Sequence, residues 1–240
     1  MVKQMNIMKI RPRIWHIEES YRVYCTLIQG KHGSILFDTG LGKQDLYAFL
    51  KNTLKTDYIV ICSHGHHDHT GGIDAFEKVC LHPEDTPLLL PGPLRSGLLH
   101  PVFPGDRFDL GDLHAEVVSL KGHTKGSIGL LIPEERLLLA GDALSERLQL
   151  LGPGTASLEE LRGTLTFALQ LPFDTFLAGH YPGEIPKSQI SAHLAHLNTF
   201  RWEETAEARF GDLPCLRSTF HGPEGRSVFL FDEVLRERSE

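Results

Sequence analysis

The sequence predicts a single domain of mixed α and β structure. Strand-like and helix-like segments alternate in both halves of the 240 residues, and no repeat or long linker separates them. Hydrophobic residues make up 41% and charged residues 23% of the chain, which is ordinary for a globular protein. A dense group of histidines and aspartates follows one strand-like segment directly. We therefore expect one domain over residues 1–240 with a polar site at a strand end.

The first half of the chain predicts a hairpin, a short helix and a buried strand in succession. Strand patterns cover residues 23–28, 34–38, 58–62 and 78–81, and helical patterns cover 44–52 and 73–76. The segment from Pro83 to Gly105 then holds five prolines between Pro83 and Pro101. Such a segment is too irregular for a long element, so we expect a surface excursion that could form a lid over the site.

The second half of the chain is also mixed. Strand patterns cover residues 115–120, 128–132, 136–140, 175–178 and 227–231. Ser157 and Glu160 have the spacing of a capping box and predict the start of a helix. A second amphipathic pattern predicts a helix over residues 187–209, with His193 and His196 as flanking residues rather than metal ligands.

Charge and cysteine usage exclude several classes of protein. The formal net charge is −7 with lysines and arginines scattered, so we expect no nucleic-acid partner. No apolar run approaches the roughly 20 residues that cross a bilayer, and we expect a cytoplasmic protein without a membrane partner. The four cysteines lie far apart without a C-x-x-C pair, and we expect them to be core thiols, Cys62 included. The oligomeric state stays open.

The chemistry of the chain is concentrated in a block that runs from Ser63 to Gly72, directly after a predicted strand. It contains His64, His66, Asp68 and His69. Side chains alternate along extended backbone, so His64 and His66 project to the same side. Imidazole and carboxylate groups together suit Zn²⁺, Fe or Mn, provided that other parts of the chain complete the ligand set. His67 occupies the spacer, and we expect it to face solvent.

Three later segments offer the missing ligands. Each follows a predicted strand and contains a glycine that allows a sharp turn: Gly122-His123-Thr124, Gly141-Asp142-Ala143 and Gly179-His180-Tyr181. We therefore expect four strand ends to meet at one metal site.

These segments closely resemble the metallo-β-lactamase fold superfamily of metallohydrolases, which includes the glyoxalase II group. The resemblance runs from about Val23 to the helix after His180, and the early Phe37-Asp38-Thr39-Gly40 segment belongs to it. It implies an α+β fold, a four-layer αββα sandwich with the metal site at one edge of the two sheets. It also implies two divalent metal ions, of which Zn²⁺ is the expected one.

The resemblance further implies a role for each residue of the motif. His64, His66 and His123 would hold the first metal, Asp68, His69 and His180 the second, and Asp142 would bridge them. A bridging hydroxide would attack the substrate, with Asp68 orienting it and accepting its proton. Asp38 would fix the tautomer of a ligand histidine, although it could equally be an ordinary turn residue.

Three reactions fit this site. The first is hydrolysis of a small ester, thioester or lactone, the second is the one-iron chemistry of persulfide dioxygenases, and the third is phosphodiester cleavage. The Gly-Cys-Gly-Arg-like segment typical of glyoxalase II and persulfide dioxygenases is replaced here by Ala143-Leu144-Ser145-Glu146. Quorum-quenching lactonases usually carry a tyrosine near the position of Ser145. Only 60 residues follow His180, without the glutathione-binding helices of full-length glyoxalase II. We expect a metal-dependent hydrolase with a small-molecule substrate.

Overall fold

The computed structural model describes residues 5–54, 57–90, 94–232 and 235. The strands in this part of the chain are β1 (Asn6–Arg11), β2 (Ile14–Ser20), β3 (Val23–Gln29), β4 (Gly33–Phe37), β5 (Asp57–Ile61), β6 (Val79–Leu81), β7 (Leu99–Pro101), β8 (Arg107–Asp109), β9 (His114–Ser119), β10 (Ile128–Ile132), β11 (Leu137–Gly141), β12 (Arg147–Leu150), β13 (Thr175–Ala178), β14 (Glu184–Pro186), β15 (Ala206–Phe210), β16 (Leu213–Gly222) and β17 (Gly225–Phe231). The α-helices are α1 (Leu46–Thr53), α2 (His67–Thr70), α3 (Leu158–Ala168) and α4 (Ser188–Thr199).

Two large sheets form the centre of the molecule. The first contains β1 to β7 in sequence order, antiparallel up to β4 and parallel from β4 onward. The second has the order β14-β13-β11-β10-β9-β8. Aliphatic and aromatic side chains of both sheets share one buried core, including Ile28, Phe37 and Ile61 from the first sheet and Leu130 and Leu139 from the second. The sheets therefore pack face to face.

Helices cover the outer faces of both sheets. Leu46 and Leu50 of α1 join the core on the outer side of the first sheet. Leu161 and Leu165 of α3 and Ile190 of α4 join the core on the outer side of the second. This layer order confirms the expected αββα sandwich. The capping box is present as well, because the Ser157 hydroxyl accepts from the Glu160 amide while the Glu160 carboxylate accepts from the Ser157 amide.

A third, four-stranded sheet has the order β12-β17-β16-β15 and packs on α4. The sequence patterns predict part of β17 but neither β1 nor β15, because no side chain of those two strands is fully buried. The prediction of one helix over residues 187–209 is wrong. The chain leaves the helix after Thr199, since the rings of Phe200 and Trp202 pack on Phe231 with centroids 4.9 and 5.0 Å away.

The placement of His193 and His196 at the flanks of α4 is also wrong. Both side chains are buried against β16 and β17. His193 bonds to the Ser227 hydroxyl and the Ser145 carbonyl, and His196 bonds to the hydroxyls of Ser227 and Ser218. The apolar face of α4 is wider than its sequence indicates because these imidazoles find hydroxyl partners inside the core.

The segment from Pro83 to Gly105 is more than a surface excursion. Pro83–Leu88 form a 3₁₀ helix, β7 adds a strand to the first sheet, and Leu98 and Val102 are buried. Residues 91–93 lie outside the described part of the chain, and the lid hypothesis stays a prediction. Cys25, Cys62 and Cys215 are buried as free thiols, as expected. No helix in the described ranges is long and apolar enough to span a membrane.

Candidate metal centre

Four turns at strand ends bring the predicted ligands together. His64 and His66 follow β5, and Asp68 and His69 lie in α2 immediately beyond. His123 follows β9, Asp142 follows β11 and His180 follows β13, so these three come from the second sheet. The site thus lies where one edge of the first sheet meets one edge of the second.

Two glycines allow the turns to approach so closely. Gly141 has a φ of 53°, in the left-handed region that glycine adopts without strain. A Cβ atom on Gly179 would lie 2.4 Å from Asp142 Oδ1 and 2.5 Å from His69 Cε1. Any side chain at Gly179 would therefore displace two of the predicted ligands.

In the described ranges the ligand atoms form three overlapping groups of three, and within each group they lie within 4.8 Å of one another; His64, His69 and Asp142 form the group that links the other two. We call His64, His66 and His123 the first group, and Asp68, His69 and His180 the second group. Asp142 lies between them. Its Oδ2 is 3.8 Å from His123 Nε2 and 3.0 Å from His180 Nε2, while its Oδ1 is 3.4 Å from His69 Nε2. One carboxylate thus touches both groups.

Each of the five histidines has one ring nitrogen bonded to an acceptor outside the cluster. Nδ1 donates in four of them: His69 to Asp38 Oδ2 (2.9 Å), His123 to the Gln149 carbonyl (2.6 Å), His180 to the Arg22 carbonyl (2.7 Å) and His64 to Ser63 Oγ (2.9 Å). His66 is reversed, because its Nε2 donates to the Pro153 carbonyl at 3.0 Å. These bonds fix which nitrogen of each ring is left to face the cluster, and in the neutral form of the ring that nitrogen carries a lone pair.

Asp38 supports the second group and the start of the block together. Its Oδ2 accepts from both His69 and the Ser63 hydroxyl, and its Oδ1 accepts from the Ser63 amide at 2.6 Å. Because the single Ser63 proton goes to Asp38, the His64 ring must be the donor to Ser63. Asp38 itself has a φ of 69°, an unfavourable conformation for a residue with a side chain, and these hydrogen bonds hold it there.

The donor atoms of the first group fit a bound cation. His66 Nδ1 and His123 Nε2 are 2.9 Å apart, and both are lone-pair nitrogens because the other nitrogen of each ring donates to a carbonyl. Two lone pairs at this distance repel each other unless a proton or a metal ion lies between them. Burial lowers the pKa of His123 to about 4, which disfavours the proton at neutral pH. A cation resolves the conflict.

Buried side-chain atoms without a hydrogen-bond partner also indicate a bound cation. Within the described ranges, the buried atoms His64 Nε2, His69 Nε2 and Asp142 Oδ1 have no hydrogen-bond partner. A buried polar atom without a partner costs about 1 to 3 kcal/mol, and three of them in one cluster are a large penalty for a protein of ordinary stability. Bound metal ions would satisfy all three, so the residues present fit a metal centre.

The two groups differ in charge. Burial and the neighbouring rings of His69 and His123 lower the pKa of His64 well below its usual value, so His64, like His123, is neutral at neutral pH. In the second group burial also disfavours imidazolium, but the Asp142 and Asp68 carboxylates outweigh it and raise the pKa of His180 to about 10. The first group offers only nitrogen donors, whereas the second combines nitrogen with carboxylate oxygen.

The same pairing acts on the carboxylates. Burial alone would raise the pKa of Asp68, but His69 and His180 lower it to about 2. Asp142 behaves in the same way, and its pKa lies well below the usual range. Both aspartates are therefore ionised at neutral pH, in the form that binds metal.

Sequence reasoning predicted the candidate ligands and the support of one ligand histidine by Asp38, which bonds to His69, but not the other supports. The Gln149, Pro153 and Arg22 carbonyls come from the main chain and have no signature in the sequence. Asp85, which is fully buried beside the first group, follows His82 and Pro83 and looks there like an ordinary helix-start residue. His67 is exposed as expected.

The fold, the site and the family agree. The family model of the metallo-beta-lactamase superfamily matches residues 21–180 of the chain, and the chain belongs to that superfamily. Among solved structures, a metallo-beta-lactamase from Pontibacter korlensis aligns with a TM-score of 0.67 and 21% identity, covering 82% of this chain and all of the other. That likeness supports the fold.

Curated relatives of several kinds match in sequence, among them two hydrolases of thioesters by name and a lactamase-like protein, ptaB, of Pestalotiopsis fici, which is 28% identical over 86% of this chain and 71% of the relative. A hydroxyacylglutathione hydrolase of Vibrio cholerae is 33% identical over 220 residues, which are 86% of this chain and 81% of the relative. The acyl-coenzyme A thioesterase MBLAC2 of Gallus gallus is 27% identical over 164 residues, which are 53% of this chain and 59% of the relative. The chain thus spans less than two thirds of the thioesterase.

Proposed function

We propose that the protein is a metal-dependent hydrolase that cleaves thioesters of small acyl groups. The observation that carries the proposal is the arrangement of the seven candidate ligands, in which five oriented imidazoles and two ionised carboxylates face one cluster. Two divalent ions, with Zn²⁺ the best match to the nitrogen-rich first group, would supply a water that ionises near neutral pH and would polarise a carbonyl oxygen.

Asp68 is the residue we assign to proton transfer. Its side chain is 34% exposed, whereas that of Asp142 is 6% exposed. Water and substrate can therefore reach Asp68, and its carboxylate is deprotonated, which is the form that a proton acceptor requires. His180 Nε2 is 3.2 Å from Asp68 Oδ2 and holds that carboxylate in place at the open side of the cluster.

The choice of thioesters is supported by the relatives. Both the hydroxyacylglutathione hydrolase and the acyl-coenzyme A thioesterase bear names that denote thioester hydrolysis, although they share different portions of this chain. A thioester carbonyl is also more electrophilic than that of an ordinary ester. Hydrolysis of esters and lactones is expected at lower rates at the same site.

The test is metal analysis of the purified protein combined with initial rates on an acyl-coenzyme A, S-lactoylglutathione, a lactone and a phosphodiester. We expect two ions per chain and thioester turnover at least about tenfold faster than the other reactions, a difference of about 1.4 kcal/mol in the barrier. One iron per chain with oxygen uptake on glutathione persulfide would overturn the proposal, as would phosphodiester cleavage faster than thioester cleavage.

Asp68→Asn tests the assignment of the proton acceptor. The amide keeps one oxygen and the shape of the side chain but is a poor base, so kcat should fall by about 10² to 10⁴-fold. Asp174→Asn is the matched control, since Asp174 is an exposed aspartate that pairs with Arg136. Steady-state kinetics at equal metal content decide the question, and an unchanged kcat in Asp68→Asn would contradict the assignment.

A further inference from the structure

Asp85 is a buried carboxylate that takes no part in the proposed reaction. It lies in the 3₁₀ helix Pro83–Leu88, and its side chain is fully shielded from solvent. Its Oδ2 accepts from the Gly65 amide at 2.9 Å and from the Thr124 hydroxyl at 2.6 Å, and its Oδ1 accepts from the Gly126 amide at 2.8 Å. All three donors belong to the two turns that carry the first group.

These hydrogen bonds connect turns from different sheets. Gly65 lies between His64 and His66 after β5, whereas Thr124 directly follows His123 after β9. The single oxygen Oδ2 accepts from both turns, so it fixes the separation of the two ligand segments. Asp85 also packs tightly on the first turn, because a Cβ atom on Gly65 would lie 2.4 Å from the Asp85 carbonyl oxygen.

The second group is supported elsewhere. His69 bonds to Asp38 and His180 bonds to the Arg22 carbonyl, and within the described ranges none of the hydrogen bonds of Asp85 goes to a residue of the second group. Asp85 thus bonds to the two turns of the first group, whereas Asp38 bonds to His69 and to Ser63 at the start of the block.

We infer that Asp85 is a positioning residue for the first metal ion and sets the affinity of that ion independently of the second. The inference rests on the proposed function in one respect, which is that the first group holds a metal. Residues that orient metal ligands typically contribute 10 to 100-fold in metal affinity. Loss of the Asp85 carboxylate should therefore release one ion of the two.

Asp85→Asn is the direct test. The amide keeps the size of the side chain, but its NH₂ would face a backbone or hydroxyl donor and break the link on one side. We expect the affinity for one Zn²⁺ to fall about 10 to 100-fold in a chelator competition, with the other affinity unchanged. The Co²⁺-loaded proteins give a second readout, because the visible absorption bands report each site. The bands that weaken in Asp85→Asn should be the ones lost in His123→Ala, and the ones lost in His180→Ala should be unchanged.

Glu19→Gln is the matched control. Glu19 is equally buried, and its carboxylate accepts from the amides of Leu41, Lys43 and Gln44, away from the first group. It should lose a comparable amount of stability and keep both metal affinities. This comparison separates a positioning role from a general loss of stability.

A second pair of variants covers the case in which Asp85→Asn does not fold. Thr124→Val removes one hydrogen-bond donor to Asp85 and should lower the affinity for the same ion by about threefold to tenfold. Thr124→Ser keeps the hydroxyl and should restore that affinity. Unchanged affinities, or an equal loss of both ions, would overturn the inference. Two ions without thioester turnover would overturn only the proposed function, and a wild-type protein that binds no metal would overturn both.

Discussion

A hydrogen bond to another protein group orients each candidate ligand histidine. The acceptors are a carboxylate, a hydroxyl and three main-chain carbonyls, and the other nitrogen of every ring faces the cluster. Because the rings are already oriented, metal binding needs little side-chain ordering and loses little conformational entropy.

Asp142 lies between the two groups, and we expect the binding of both ions to depend on it. Asp142→Ala removes the only carboxylate that, in the described ranges, touches ligands of both groups. We expect the variant to retain at most one ion per chain and to lose measurable turnover. Metal content after dialysis checks this, with the exposed Asp174→Ala as control. Two ions retained in Asp142→Ala would show that Asp142 does not bridge them.

Metal uptake should release protons. Asp142 and Asp68 raise the pKa of His180 to about 10, so chelator-treated protein carries a proton on this ring at pH 8. A cation can bind only the neutral imidazole and must displace that proton. Titration of chelator-treated protein with Zn²⁺ in weak buffer should therefore acidify the solution by about one proton or more per chain. No acidification at pH 8 would contradict the charge state assigned to His180.

The sequence predicts the side-chain ligands of the centre but not the main-chain groups that support them. The ligands could be predicted because they are side chains with fixed spacing at strand ends, as in His64 to His69. The acceptors at Gln149 and Pro153 could not, since any residue type supplies a carbonyl. The role of Asp85 can be recognised only from the fold, which brings its segment back to the turn that contains His64.

At the scale of elements, the chain from β11 to α3 connects the metal centre to the third sheet. It begins with Asp142 and continues through β12, and it supplies the carbonyls that hold His123 and His66. β12 in turn pairs with β17, and His193 of α4 bonds to the Ser145 carbonyl. The third sheet and α4 thus hold the segment that supports the first group.

The buried histidines of α4 predict a pH-dependent stability. Burial lowers the pKa values of His193 and His196 to about 4, below the usual 6.5. Between these values the unfolded chain binds protons that the folded protein does not. The contribution of the two neutral histidines to the free energy of unfolding is therefore complete above pH 6.5. On acidification towards pH 4 it falls by about 1.4 kcal/mol per pH unit for each histidine.

Urea unfolding of chelator-treated protein between pH 4.5 and pH 7 measures this effect. His193→Gln with His196→Gln should be less stable at pH 7 and show a shallower loss of stability on acidification. The metal ligands titrate equally in both proteins, so their contribution cancels in the difference. Parallel curves for the wild type and the double variant would contradict the prediction.

At the scale of the whole molecule, the order of the motifs predicted the sandwich, while the third sheet was not foreseen. The strands that meet at the centre are short and apolar and end at distinctive residues, as β5 does before His64. β15 is a solvent-exposed strand at the edge of its sheet, with Glu207 and Arg209 exposed, and it resembles the end of a polar helix. The secondary structure of such a segment depends on the strands with which it pairs, and the local sequence does not show which strands these are.

Metal removal should destabilise the entire domain, because the ligands join both large sheets. An ion held at 100 times its dissociation constant stabilises by about 2.7 kcal/mol. For a chain of this size, 1 kcal/mol shifts Tm by about 2 to 4 °C, so removing two ions should lower Tm by about 10 °C or more. Differential scanning calorimetry with chelator checks this against chelator already saturated with Zn²⁺. Equal Tm values would rule out a structural contribution from the ions.

The bond from His180 to the Arg22 carbonyl joins residues 158 positions apart. During synthesis, this support cannot form before His180 has been made, and the first group likewise waits for His123 and Pro153. No short nascent segment can therefore hold a metal ion in its final geometry. Long-range contacts of this kind form slowly. We expect the polypeptide to fold first and to acquire its ions afterwards.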